Sequence, residues 1–266
     1  MILTLLAALL LSCAERVEIQ SAVSGEDPSS QWASALKRIA SPNGIDVEQL
    51  RSAEPALNAY LAWAAEHGQH SDGWGESKED KRIAYLLNVH NAAVLHNLLR
   101  TGIPSSPDDV QVGWYRWSGA GFYWGSKYKV DGEWSALRHI GFHDTVSRYQ
   151  EPLTWAALYD GTKDSPPLKW WSRNKLQKRL ESAMRAFINS DRGLRKQGAD
   201  WIANPLFTAR HDDFTFWTDS DNICSWMAGF SGGERKQWLD QQSESCALNS
   251  WTADRRTDVA EPKPTP

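Results

Sequence analysis

The stretch Ala84-Tyr85-Leu86-Leu87-Asn88-Val89-His90-Asn91-Ala92-Ala93-Val94-Leu95 most narrows what this chain can fold into. It is nearly all apolar, yet it carries two amides and an imidazole. Ala84, Asn88, Asn91, Leu95 and Leu98 recur at i, i+4, i+7, i+11 and i+14, so on a helix they share one face. Ile83, Leu86, Leu87 and Val94 make the opposite side apolar as well. A helix that is hydrophobic all round must be buried on every side. A buried amide without partners costs roughly 1–3 kcal/mol. Asn88 and Asn91 therefore belong to a satisfied structural network or to a functional pocket, and the sequence leaves both open.

Around this helix, over 80–100, the periodicity predicts further helices at 32–39, 46–66, 175–195 and 222–242, the last broken near Gly232-Gly233. Gly102 and Pro104 stop the buried helix, and the polar segment 67–81 reads as a loop. Residues 110–117, 121–124 and 127–132 read as short aromatic strands with Gly turns, and Ser135 as the cap of a helix running through His139. The chain shows no internal repeat. The expected class is α+β, a helix-rich single domain with a small central antiparallel sheet.

Residues 2–11 form a ten-residue apolar run, too short for a transmembrane helix and right for the core of a signal peptide. The run ends at Leu10-Leu11-Ser12-Cys13, which looks like a bacterial lipobox with Cys13 as the lipidated first residue of the mature chain. Ala14 after that cysteine points to the outer membrane. The expected layout is a signal peptide over 1–12, a lipid-anchored tether over 13–31, a domain over 32–254 and a disordered, Pro-containing tail over 255–266. The two other cysteines, Cys224 and Cys246, read in an exported protein as a disulfide rather than as two separately buried thiols.

A net charge of −4 and the absence of a long basic run give no case for nucleic acid. The 15 Trp residues serve first as core packing, with a glycan-lining role open for those between Trp114 and Trp134. His139, His143 and Asp144 have a chelating spacing but lack a further ligand, and neither metal nor cofactor is expected.

Several segments, in order, resemble the family called domain of unknown function 547. Ala84 to Ala92 resembles its Asn-x-x-Asn-Ala helix, and Ala136-Leu137-Arg138-His139 its Ile-Glu-His segment. Ala157 to Leu168 resembles its Ala-Leu-x-Cys-x-Ser-x-x-Cys-Pro-x-Leu loop, and Leu206-Phe207 with Asp213-Phe214 a later element. The resemblance runs over roughly 45–250. The family's Asn, His and Cys suggest papain- or transglutaminase-like thiol chemistry, by analogy only. Here Asp160 and Ser165 stand at its cysteines, Leu153-Thr154-Trp155 at its Arg-x-His, and Arg138 at its Glu.

Two functions follow as expectations. The first is an envelope-anchored lipoprotein acting as a binding or scaffold module with a degenerate catalytic pocket around Asn88 and Asn91. Its partners would be the membrane, through the lipid only, and an envelope protein or glycan. On this reading Asn88→Ala and His139→Ala mainly lower stability. The second is an envelope hydrolase or transferase in which Ser165 attacks, His139 acts as base and Asp160 orients the imidazole.

Overall fold

The computed structural model describes residues 14–20, 26–41, 43–68, 74 and 79–260. The expected signal peptide and Cys13 lie outside the described residues. Short strand β1 (Glu15–Arg16) is followed by α1 (Ser29–Ile39) and a two-residue hairpin, β2 (Ala40–Ser41) and β3 (Gly44–Ile45). Next come α2 (Val47–Ser52), α3 (Glu54–Ala64) and the long α4 (Glu79–Arg100). The expected helix at 46–66 is thus two. Asp46 caps α2 by accepting from Gln49 N–H at 3.0 Å, and Pro55, which lacks a donor, opens α3.

Helix α4 divides the interior into two apolar clusters. Tyr85, Leu86, Val89 and Leu95 pack on α1–α3 and the sheet. Ile83, Ala84 and Leu87 pack on the C-terminal helices. Burial on both sides is why the sequence is apolar all round. The helix closes when Gly102 N–H and Ile103 N–H bond back to Leu99 O (3.0 Å) and Leu98 O (2.8 Å).

Strands β4 (Ser126–Val130) and β5 (Glu133–Ala136) form a hairpin whose turn residues, Asp131 and Gly132, both have positive φ. The segment β1 joins β4 in parallel, so the three-stranded sheet is mixed. The strands expected at 110–117 and 121–124 are absent. That backbone closes on itself instead, with Tyr123 N–H on Gly119 O at 2.9 Å and Ala120 N–H on Trp117 O at 3.0 Å. Ser135 sits in β5 opposite Tyr128 and caps nothing. A wide helical segment, His139–Ser147, follows.

The C-terminal half holds α5 (Leu176–Ile188), the hairpin β6 (Leu194–Gln197) and β7 (Asp200–Ala203), and four short helices. These are α6 (Pro205–Ala209), α7 (His211–Thr215), α8 (Ile223–Ala228) and α9 (Gly233–Gln241). The Cys224–Cys246 disulfide is present and ties α8 to the chain beyond α9, with Cα atoms 5.8 Å apart. Closing that loop contributes about 3 kcal/mol in the chain-entropy treatment. The class is the expected helix-rich α+β.

Two expected boundaries are corrected. Within the supposed tether 13–31, Val17 is buried and Glu15 pairs with Arg100 at 2.8 Å. Within the supposed disordered tail 255–266, residues 255–260 are docked. Thr257 N–H donates to Ser105 O at 2.9 Å, Asp258 pairs with Arg192 at 3.0 Å, and Ala260 N–H donates to Ile45 O at 2.9 Å. Both segments are held by backbone bonds and charge, which a reading of apolar content does not detect. Residues 261–266 lie outside the described residues. No helix among the described residues is long and apolar enough to cross a membrane.

Candidate functional site

A cavity of about 580 Å³ opens between the segment 117–124, the helical segment at 139–147, the loop 158–166, α6 and the docked C-terminal segment. That is a common size for a small-molecule site. Helix α4 lays its amides beneath the cavity as struts. Asn88 Nδ2 donates to Trp171 O at 2.7 Å while its Oδ1 accepts from Trp171 N–H at 2.8 Å. Asn91 Nδ2 donates to Ala157 O at 3.0 Å and its Oδ1 accepts from Tyr159 N–H at 2.9 Å. Neither amide lines the cavity. Of the two openings the sequence left, the structure takes the satisfied network.

Those backbone partners fix the orientation of the Asn91 amide, and that in turn fixes His90. Its Nδ1 lies 3.2 Å from Asn91 Oδ1, an acceptor, so Nδ1 carries the proton and Nε2 offers a lone pair. His90 lines the cavity, and burial lowers its pKa to about 4, so the ring is neutral at ordinary pH. Gly141 admits it: a Cβ there would stand 2.7 Å from His90 Nε2. Gly141→Ala is therefore expected to push the imidazole aside and cost about 1–3 kcal/mol. Urea denaturation of that variant checks this, and an unchanged midpoint would contradict it.

The structure brings Asp160 and Ser165 into the cavity but not His139. The His139 side chain is half exposed, with Nε2 3.5 Å from Asp144 Oδ1 and its ring 4.8 Å from that of His143. The set Ser165, His139 and Asp160 is not assembled. Ser165 is 2% exposed, and its Oγ accepts from Asp160 N–H at 2.8 Å. The Asp160 carboxylate accepts from Thr162 N–H (2.9 Å) and Oγ1 (2.7 Å) and pairs with Arg255 at 2.9 Å. Burial alone would raise that carboxyl, but Arg255 and Thr162 hold it below its ordinary value. Arg255 also grips Asp108 at 3.0 Å, so the C-terminal segment is clamped to the cavity wall.

The lining also carries two further cations. The guanidinium carbons of Arg138 and Arg210 lie 4.8 and 4.7 Å from the Phe142 ring centroid, and that of Arg210 lies 5.0 Å from Trp155. Among the described residues neither arginine has a carboxylate within 4.0 Å. The nearby Asp213 accepts instead from Trp155 Nε1 at 3.0 Å. Burial first, and then the like charge of Arg210, lower Arg138 to about 10. Asp213 lies close enough to offset part of both charges but pairs directly with neither, so the two guanidiniums keep hydrogen-bonding capacity for an anion.

Residues 75–188 match the family described as protein of unknown function, DUF547. The stretch resembling DUF547 supplies His90, Arg138, Gly141, Trp155, Asp160 and Ser165, while Arg210 and Arg255 come from outside it. Of the five positions at which the residues depart from the resembled pattern, Arg138, Trp155, Asp160 and Ser165 line the cavity and Leu153 does not. No curated protein and no solved structure matches the chain.

Sequence reasoning missed His90, Arg210 and Arg255. The signal for His90 was available, since it adjoins Asn91 on the buried helix. Nothing local marks either arginine, because each acquires its role from a distant segment. No group of three His, Cys, Asp or Glu side chains that could hold a metal occurs among the described residues.

Proposed function

We propose that this chain is a binding module of the bacterial cell envelope, anchored by a lipid on Cys13, whose cavity receives a ligand without transforming it. The observation that carries the reading is the inversion of the cavity's chemistry. The serine is buried and already bonded to a backbone N–H, the expected base His139 stands outside the cavity, and two arginines make no direct carboxylate pair. A nucleophilic hydroxyl needs a positioned base to attack. An anion needs only fixed, desolvated cations. The outer membrane is the proposed compartment, from Ala14 after Cys13.

The test has two parts. A fluorophosphonate probe is expected to label wild type no more than Ser165→Ala. Labelling of wild type alone would return the hydrolase reading. Cys13→Ser is expected to shift the protein from the membrane fraction to the soluble one. Continued membrane retention would remove the anchor.

A further inference from the structure

We propose that the ligand of this cavity is an acidic saccharide, with its acid group on Arg138 and Arg210, its hydroxyls on the carboxylates and a sugar face on Trp117 and Trp124. The proposal rests on the binding reading above and names its ligand class. Three features placed around one cavity carry it.

The first is the pair of cations. Arg138 and Arg210 share Phe142 and face no carboxylate within 4.0 Å among the described residues. A guanidinium fork matches a carboxylate or a sulfate through paired N–H bonds.

The second is a set of carboxylates in the same lining. Asp108, Asp160 and Asp164 are held in place there by Arg255, Thr162 and Trp251. Carboxylate oxygens accept more than one hydrogen bond, so these groups retain capacity for hydroxyl donors. His90 Nε2 adds a neutral acceptor and Ser118 a hydroxyl. Acceptors and cations lining one cavity suit a molecule that carries both hydroxyls and an acid. They do not suit a simple anion.

The third is the rim. Trp117 is 63% exposed and Trp124 40% exposed, and both line the cavity. Exposing large flat apolar rings costs free energy unless a ligand covers them. The C–H face of a pyranose covers an indole while its rim hydroxyls remain free to bond. An acidic peptide has no such face, and its amides would compete poorly for the carboxylates.

The experiment titrates the full chain with trigalacturonate, a sulfated neutral trisaccharide, fully methyl-esterified trigalacturonate and triglutamate, reading Trp fluorescence and calorimetry. Binding of either acidic trisaccharide, at least ten-fold tighter than the esterified form or triglutamate, is the expected result. Which of the two binds tells carboxylate from sulfate. Arg138→Gln and Arg210→Gln should each weaken that binding at least ten-fold, and Trp124→Ala should weaken the esterified and acidic forms alike. To separate loss of binding from loss of folding in the arginine variants, the exposed Trp117→Ala serves as the second test and should also reduce affinity. Triglutamate binding as tightly as the saccharides, or no difference between esterified and free acid, overturns the saccharide class and leaves the binding reading intact. Cleavage of a bound trisaccharide would overturn the binding reading and leave the class intact.

Discussion

Asn91→Ala is expected to cost about 3–5 kcal/mol. The amide satisfies Ala157 O, Tyr159 N–H and His90 Nδ1 at once. Its removal leaves a buried carbonyl and a buried N–H without partners and opens a void in a helix that is packed on both sides. Each orphaned group alone costs about 1–3 kcal/mol. Asn88→Ala should be nearly as damaging, since both of its bonds run to the Trp171 backbone. His139→Ala serves as the contrast. The sequence suggested that this substitution also destabilises, but the side chain is half exposed and should stay within about 0.5 kcal/mol of wild type. Denaturant midpoints of the three variants decide the matter, and an Asn91→Ala protein as stable as His139→Ala would contradict the strut role.

The second large effect is acid lability centred on two histidines. Burial lowers both His90 and His96 from 6.5 to about 4, with the like charge of Arg100 adding to the effect at His96. The unfolded chain therefore binds more protons than the folded one between pH 6.5 and 4. Stability is fully present above pH 6.5, falls as pH drops through that window, and stops falling on this account near pH 4. Each ring contributes about 3 kcal/mol at full extent. Asp144, Asp213 and Asp258, whose carboxyls burial raises, act in the opposite sense towards the acid end. A net loss of about 5 kcal/mol between pH 7 and pH 4.5 is expected from urea melts. His90→Gln and His96→Gln should each flatten the slope, and a wild-type stability that stays level over that range would exclude the mechanism.

The two apolar clusters explain how much of the fold could be read in advance. The helix at 80–100, the class and the Cys224–Cys246 pair depend on local patterning and on simple chemistry, and these came through. The aromatic segment 110–124 did not, because Gly-rich aromatic sequence supports closed turns as readily as strands. Beyond an isolated Val112–Tyr115 bridge, the regular strand pairing lies at residues 126–136. The docked ends at Val17 and at Thr257–Ala260 depend on backbone bonds to remote segments, for which composition carries no signal.

The candidate site was legible in half. The resemblance pointed to Asp160 and Ser165, and both line the cavity. It also pointed to His139, one residue beyond Arg138. The wide turns that begin there place Arg138 at the cavity and His139 on the surface. The one-residue offset puts a guanidinium rather than an imidazole at the cavity.

The most direct measurement is the indole ¹H–¹⁵N spectrum of the full chain, titrated with phosphate, citrate, trigalacturonate and triglutamate. We expect at least one of these to move the Trp124 and Trp155 signals, the movement to be lost in Arg138→Gln with Arg210→Gln, and to persist in Ser165→Ala. Signals that no ligand moves, or a response that vanishes with Ser165→Ala while the arginine variants keep it, would contradict a binding site built on the two arginines.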